Sequence, residues 1–399
     1  MTREKVDILI SGGGIAGLVA AAALGHEGFT VLLVDPTPPI ATGNTKGSDL
    51  RSTAYLQPAY DLFSEIGLWG TLAPVAVPLN ALRIIDTISD PPQIRGQRAF
   101  QADDMGDQPF GWNFLNWQTR DMLLNFLSKR PGIDLRYGVG FRSVLTRTSG
   151  TVVTLTDGDQ VAAKLVLGAD GRFSSVREAA GISVRTTRYG QKSLAFTASH
   201  TAPHQNISTE IYHRGGPFTV VPLNDINGKP ASAIVWMNKG RRAVELARMD
   251  VDTFNREMTL RSANLLGPME LESERAVWPI ITQRANRLTS ERIALIAEAA
   301  HVLPPIGAQG LNTSLNDITA LLDATRKFPG KIGEPEMLTA YARNRETDIA
   351  RRARVIDLFN RITRSGNTGL QALRFAGLKA VHDIAPLRHR IMRAGMGPA

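Results

Sequence analysis

Gly12, Gly14 and Gly17 stand in the pattern G-x-G-x-x-G, and Asp35 follows the last of them by 18 residues. In such a pattern the first glycine permits a tight turn and the second lets the main chain approach a pyrophosphate. The third lets a helix pack closely on a strand. An acid at the end of the next strand accepts hydrogen bonds from a ribose and repels a 2′-phosphate. Together these four residues suit the binding of a dinucleotide.

A second constellation lies towards the other end. Residues 291–317, ERIALIAEAAHVLPPIGAQGLNTSLND, read as a short buried strand (293–296), a corner of small residues, a Pro-Pro-x-Gly loop and a helix from about Leu311. The prolines fix the loop's path and the glycines strip bulk from it, so a flat group can reach the main chain. The helix turns its free N–H groups towards the loop, where they favour negative charge. An ordinary strand–loop–helix connection is the plainer reading of this segment alone. Residues 164–169 form a third landmark, a strand that runs into Asp170-Gly171-Arg172 and a short helix. Asp-Gly is a turn signal in any protein; here the acid also falls where a ligand lying across a sheet's carboxyl edge would meet it. Arg51, in Asp49-Leu50-Arg51, precedes a helix expected over about 53–66 and has the charge to pair with a phosphate. A surface arginine needs no such role.

The elements that must position these residues begin as strand, helix, strand. Residues 6–10 and 30–34 are apolar runs on either side of an Ala-rich stretch. Residues 8–25 carry no charge and follow Arg3 and Lys5, as in a signal peptide or a membrane span. Five glycines inside the run, Asp7 at its edge and the strand close behind argue against both. Further on, 218–223 (FTVVPL) and 231–236 (ASAIVW) read as strands of a sheet lining an apolar pocket. Phe218, Val220 and Pro222 are its candidate pocket residues, although as strand core they need no function.

A chain of 399 residues with 43% hydrophobic and 21% charged content can bury a large core, and its length suggests two intertwined units. It has no cysteine, which excludes disulfides and thiolate chemistry and fits a reducing, cytoplasmic setting. The seven histidines show no metal-ligand spacing, and no metal is expected. The net charge of +9 is concentrated at the end: from Tyr341 onward twelve Arg or Lys face four acids. Apolar residues at helical spacing (Val355, Leu358, Phe359, Ile362) lie between the charges. A basic amphipathic tail suits a membrane surface or a partner protein; a helical face packed on the body of the same chain is the plainer alternative. No recognition motif accompanies the charge, so nucleic acid is not expected.

GGGIAG near the start, Asp-Leu-Arg before a helix, GADGRFSSVR in the middle and AEAAHVLPPIGAQGLN near the end occur in that order. In this the whole chain resembles the class A flavoprotein aromatic hydroxylases, most closely the ubiquinone-biosynthesis (UbiH-like) hydroxylase family. The most family-specific piece is PPIGAQGLN, residues 304–312. The resemblance implies an α/β fold: a discontinuous Rossmann-like FAD-binding domain (1–70, 110–180 and 278–330), a β-sheet substrate domain (71–109 and 181–277) and basic C-terminal helices (331–399). It implies FAD as cofactor, with Gly12, Gly14 and Gly17 at the pyrophosphate and Asp35 on the adenosine ribose. Arg51 and Arg120 would also contact the cofactor. Asp170 would serve both FAD and NAD(P)H, and Gly310, Leu311 and Asn312 would lie by the flavin's pyrimidine edge. Where the family has Gly-Asp, this chain has Ala297-Glu298. Glutamate keeps the charge that holds the ribityl hydroxyls but is one carbon longer, and alanine crowds the backbone. His301 tempts as a base, yet the family uses histidine there structurally, so no catalytic residue is assigned.

The implied activity is ring hydroxylation of a polyprenylated phenol in ubiquinone biosynthesis, with NAD(P)H and O2, through a flavin 4a-hydroperoxide. Such a substrate lives in the bilayer, and the basic tail then has a purpose, holding the enzyme at the inner face of the membrane or in a biosynthetic complex. Two alternatives stay open: a hydroxylase of small soluble phenols, and a non-catalytic FAD-fold scaffold subunit.

Overall fold

The computed structural model describes residues 3–40, 43, 47–213, 215–363 and 392. Its first sheet is built from the apolar runs. The strand Glu4–Ser11 pairs in parallel with Val31–Asp35 on one side and Gln160–Gly168 on the other. Ile133–Tyr137 and Ile293–Leu295 extend the two edges, also in parallel. Ile8, Leu9, Ile10, Leu32, Leu165 and Val166 are fully buried, as strands covered on both faces must be. The chain leaves the central strand first to one side and later to the other. A crevice therefore opens at the carboxyl end of Glu4–Ser11, where ligands bind in open α/β sheets.

The helix Ile15–His26 that follows is buried from Ala16 to Leu24, because the body of the chain closes over it. The helix Gln309–Lys327 packs on it and is itself covered by the long helix Pro335–Thr363. Tyr341 of the covering helix is fully buried, and its hydroxyl donates to the Leu295 carbonyl over 2.7 Å. Tyr341→Phe would leave that buried acceptor unpaired and should lower stability by about 1–3 kcal/mol, read from the midpoint of urea unfolding. An unchanged midpoint would mean that water reaches the Leu295 carbonyl.

A second, mostly antiparallel sheet stands over the crevice. Its strands run in the order Ala276–Ala285, Val184–His200, Lys229–Lys239, Gly216–Ile226, Ile207–His213, Ala81–Ile88, Gln93–Gln101. One face packs on the helices Gly240–Arg248 and Val251–Arg261 through Phe196, Phe218, Trp236, Phe254 and Met258. The other looks into the crevice. The short strand His301–Val302 pairs with Ala276–Ala285, so the corner after Ile293–Leu295 ties the two sheets together.

One sequence expectation changes, and one that stayed open is decided. Residues 52–56 are a strand, not the start of a helix: Thr53 and Tyr55 pair with Phe114 and Trp112 of Gly111–Leu115, and β-branched and aromatic residues suit that ladder. The helix begins at Gln57, with Pro58 in its first turn. Phe218 and Val220 belong to the core beneath the sheet, while Thr219 and Val221 face the crevice. Of the basic tail, 364–391 and 393–399 lie outside the described residues. In the part described, Arg345 is 1% exposed against Asp317, and Arg352 reaches Gln309 at 2.6 Å. These two cations serve the body of the chain. Val355, read as part of an apolar face, is 62% exposed.

Candidate functional site

The crevice and the second sheet enclose one continuous cavity of about 1210 Å³. A pocket for one drug-sized ligand measures roughly 300–1,000 Å³. The space therefore suits a large cofactor and a substrate together. Gly12, Gly14, Asp35, Arg51, Arg120, Asp170, Glu298, Gly310 and Leu311 all line it. Gly17 and Asn312 do not, and each is placed behind the wall for a visible reason.

The glycine turn is set by close approaches. Gly12 adopts φ +116°, and a Cβ on it would lie 2.4 Å from the Ala169 carbonyl oxygen. A Cβ on Gly17 would lie 1.9 Å from the Gly12 carbonyl oxygen, so Gly17 seats the helix against the turn. A Cβ on Gly14 would meet no protein atom within 4 Å. That open side is where the main chain faces the cavity. Asp35 closes the turn from below: its Oδ2 accepts from the Gly13 N–H at 2.7 Å and its Oδ1 from Thr37 N–H at 2.8 Å. The cradle, with bare main chain and a fixed carboxylate, fits a pyrophosphate and the ribose beyond it.

Two buried polar atoms point to a polar ligand. Asp170 Oδ2 accepts from the Val176 N–H at 3.1 Å, whereas its Oδ1 is buried with no protein partner. Arg120 Nε is buried without a partner as well. Native interiors rarely leave such groups unsatisfied. Arg51 grips Asp49 through Nε (2.6 Å) and a terminal nitrogen (2.7 Å), and its guanidinium lies 5.6 Å from the centre of the Trp278 ring. The pairing holds Arg51 at the rim in one orientation. The described residues contain no group of side chains able to hold a metal ion.

The 297–312 segment supplies the opposite wall. Ala297 takes φ +54°, a left-handed conformation that explains why glycine suits this position and alanine strains it. Its N–H donates to Asp317 Oδ2 at 2.9 Å, which holds the strained residue in place. Glu298 lines the cavity half-exposed, its carboxylate 4.0 Å from Arg172. His301 is buried, with Nε2 2.7 Å from Asp317 Oδ2; Arg345 Nε donates to Asp317 Oδ1 at 2.8 Å. The histidine is thus bound into a structural cluster. Ala308 caps the helix Gln309–Lys327 in a left-handed conformation with no side-chain cap, leaving the first-turn N–H groups to the cavity. Asn312 spends its amide on the main chain: Nδ2 donates to Ala54 and Ala308, and Oδ1 accepts from Leu56. It clamps the strand Ser52–Leu56 to the helix start.

The roof comes from the second sheet: Leu82, Ile84, Ser208, Glu210, Thr219 and Val221 face inward. Glu210 is 8% exposed and accepts a hydrogen bond from the Tyr212 hydroxyl. Burial pushes its carboxyl above the ordinary glutamate range, and donation from Tyr212 and the Gly307 N–H offsets part of that rise. Sequence reasoning did not single this residue out. The one available signal was an acid inside a run that otherwise reads as strand, ISTEIYH.

A glycine-cradled crevice at the edge of a parallel sheet, roofed by an antiparallel sheet over a shared cavity, defines a flavoprotein of the FAD-dependent monooxygenase fold. The chain belongs to the FAD-binding-domain family, whose pattern matches residues 5–354, and within it to the class A flavin hydroxylases. It is 30% identical to ubiquinone hydroxylase UbiL of Rhodospirillum rubrum, an alignment covering 99% of this chain and 91% of that one. It is 24% identical to the 3-demethoxyubiquinol 3-hydroxylase of Escherichia coli, with 100% of each covered. Among solved structures, p-nitrophenol 4-monooxygenase PnpA of Pseudomonas putida superposes with a TM-score of 0.80 at 15% identity, covering 98% of both chains. That likeness is one of fold. The chain is an FAD-dependent hydroxylase of ubiquinone biosynthesis.

Proposed function

We propose that the chain hydroxylates the ring of a polyprenylated phenol, with NAD(P)H and O2 as co-substrates. The observation that carries this reading is the single cavity with two unlike walls. One wall is a bare, polar main chain; the other is a roof that sets Leu82, Ile84 and Val221 beside Ser208, Glu210 and Thr219 over space for a second ligand. In this reading Gly12 and Gly14 take the pyrophosphate, and Asp35 binds the adenosine ribose. Arg51 and Arg120 contact the cofactor's phosphates, and the free oxygen of Asp170 and the carboxylate of Glu298 meet its hydroxyls. The main chain at Gly310 and Leu311 offers N–H groups to the negative edge of the flavin, a contribution of about 1 kcal/mol. The chemistry that bound FAD supplies is two-electron transfer from NAD(P)H and activation of O2 towards an electron-rich ring. The protein's part is to hold the two rings in register and to keep water out through Leu82, Ile84 and Val221.

Among the described residues no helix is long and apolar enough to cross a membrane. A prenylated substrate partitions into the bilayer, and the basic tail beyond residue 363 has the charge to bring the chain there or to a partner in a biosynthetic complex. The test has one preparation and three readings. The purified protein should show flavin absorbance near one equivalent, with FAD added back if needed. It should hydroxylate geranyl-substituted phenols in preference to short soluble ones. It should also sediment with anionic vesicles, which a chain ending at residue 363 should fail to do. No binding at high FAD would favour the scaffold reading, to which Ala297-Glu298 leans. Equal rates on short phenols would move the substrate to the soluble class. Equal sedimentation of both chains would remove the tail from membrane binding.

A further inference from the structure

We propose that Glu210 is the general base that accepts the phenolic proton of the substrate, held for that task by Tyr212 and the main chain of Gly307. The proposal rests on the hydroxylase reading above and adds to it the residue that activates the ring.

Three observations converge on this side chain. First, Glu210 is an acid on the inward face of the roof, among Leu82, Ile84, Thr219 and Val221. A carboxylate 8% exposed in such a setting is costly unless it is hydrogen-bonded. Second, the Gly307 N–H reaches it from the loop that leads into the helix Gln309–Lys327. The acid therefore lies where the roof meets the proposed flavin wall, between the places of the two reactants. Third, its partners differ in kind from those of Asp317, Asp49 and Asp86; Asp170, also held by amides and a hydroxyl, stands beside the glycine turn and not on the roof. Asp317 is paired with Arg345, Asp49 with Arg51 and Asp86 with Arg95, and a guanidinium partner makes a carboxylate a poor base. Glu210 is held by a hydroxyl and an amide, which orient it while burial keeps it basic. On the same sheet face the nearby charged groups are Arg98, across Ile84, and the Asp86–Arg95 pair, across from Tyr212. His301 and Glu298 line the opposite wall.

The step is a proton transfer. The phenol's O–H bond breaks, its electron pair stays on oxygen and spreads to the ring carbons ortho and para, and Glu210 becomes the neutral acid. Once the hydroxylated ring has lost its C–H proton to solvent and become aromatic again, Glu210 returns its proton to the ring oxygen. No oxidant is consumed in either transfer.

Flavin-loaded wild type and Glu210→Gln should be compared with a geranyl-substituted nitrophenol, whose phenolate absorbs at longer wavelength than its neutral form. Wild type should bind the probe as phenolate at a pH below the probe's own pKa; Glu210→Gln should bind it neutral, with flavin content unchanged. Hydroxylation of a geranyl-substituted phenol should fall on the order of 100- to 10,000-fold in kcat. Tyr212→Phe keeps the carboxylate but removes a donor that lowers its pKa. It should shift the acid limb of the kcat/KM profile to higher pH, and this variant carries the test if Glu210→Gln loses flavin. Equal ionisation of the probe in wild type and Glu210→Gln, a kcat within about threefold, or an unmoved acid limb in Tyr212→Phe overturns the assignment. Failure of the hydroxylase reading is distinguishable, because flavin-loaded wild type would then neither bind nor hydroxylate any phenol; the assignment to Glu210 falls with it.

Discussion

Replacing Asp317 with alanine should cost about 3–5 kcal/mol, a large share of the stability of an ordinary protein. Asp317 is fully buried and joins three parts of the molecule: the Ala297 corner, His301 at the cavity wall, and Arg345 of the covering helix. The loss would leave the buried Arg345 guanidinium with Asp348 at 2.8 Å as its remaining carboxylate and would free the strained Ala297. Asp317→Asn should recover little, because an amide presents one acceptor oxygen where the cluster needs two. The pH dependence follows from the same contacts. Burial raises the Asp317 carboxyl, and His301 and Arg345 outweigh it, so the folded value lies below the ordinary aspartate value. A group depressed on folding stabilises fully above its unfolded pKa, and the contribution is lost as pH falls through the folded value. Wild type should therefore lose stability as the pH drops below about 4, and Asp317→Ala should show a flatter acid limb. Denaturant unfolding of the two proteins across pH measures both effects. A loss under 1 kcal/mol at neutral pH would mean that Arg345 finds water or another partner when Asp317 goes.

The second large effect is on flavin binding, and the two glycines Gly17 and Gly14 separate its causes. Gly17→Ala puts a methyl group within 1.9 Å of the Gly12 carbonyl oxygen, so the helix must move off the turn. Such overpacking costs about 1–3 kcal/mol, which should weaken FAD roughly fivefold to 150-fold and lower the melting temperature as well. Gly14→Ala meets no protein atom and has an ordinary φ of −72°, so the apo fold should be unaffected. Its methyl group occupies the space assigned to the pyrophosphate, and FAD affinity should fall at unchanged stability. Titration of apoprotein with FAD, beside thermal unfolding without it, distinguishes the two. Full affinity in Gly14→Ala would move the pyrophosphate away from this turn.

The turn proposed to hold the cofactor was legible in the sequence because its requirements are local. A tight turn, a close helix–strand approach and an acid at the end of the next strand each impose a residue type at a set spacing, and Gly12, Gly17 and Asp35 meet them within one βαβ unit. The loop before Gln309 is legible for the same reason, since proline and glycine restrict or free the backbone wherever they occur. Ala297 shows the limit of such reasoning. Its alanine was visible as crowding, but the positive φ that makes glycine suitable there appears only in the folded chain.

What the tertiary structure alone decided are the matters of facing and pairing. Strand alternation separates the two faces of the roof, but both are covered, one by helices and one by ligand space. The pattern therefore could not say that Thr219 and Val221, not Phe218 and Val220, look inward. Arg345 read as one cation of a basic tail because its partner Asp317 stands 28 residues away and meets it only when two helices pack. Glu210 looked like one more polar strand residue until sheet order set it beneath Gly307. Local conformational demands act through neighbours in sequence and leave their mark there. Burial, facing and charge pairing act through neighbours in space, which the fold must first bring together.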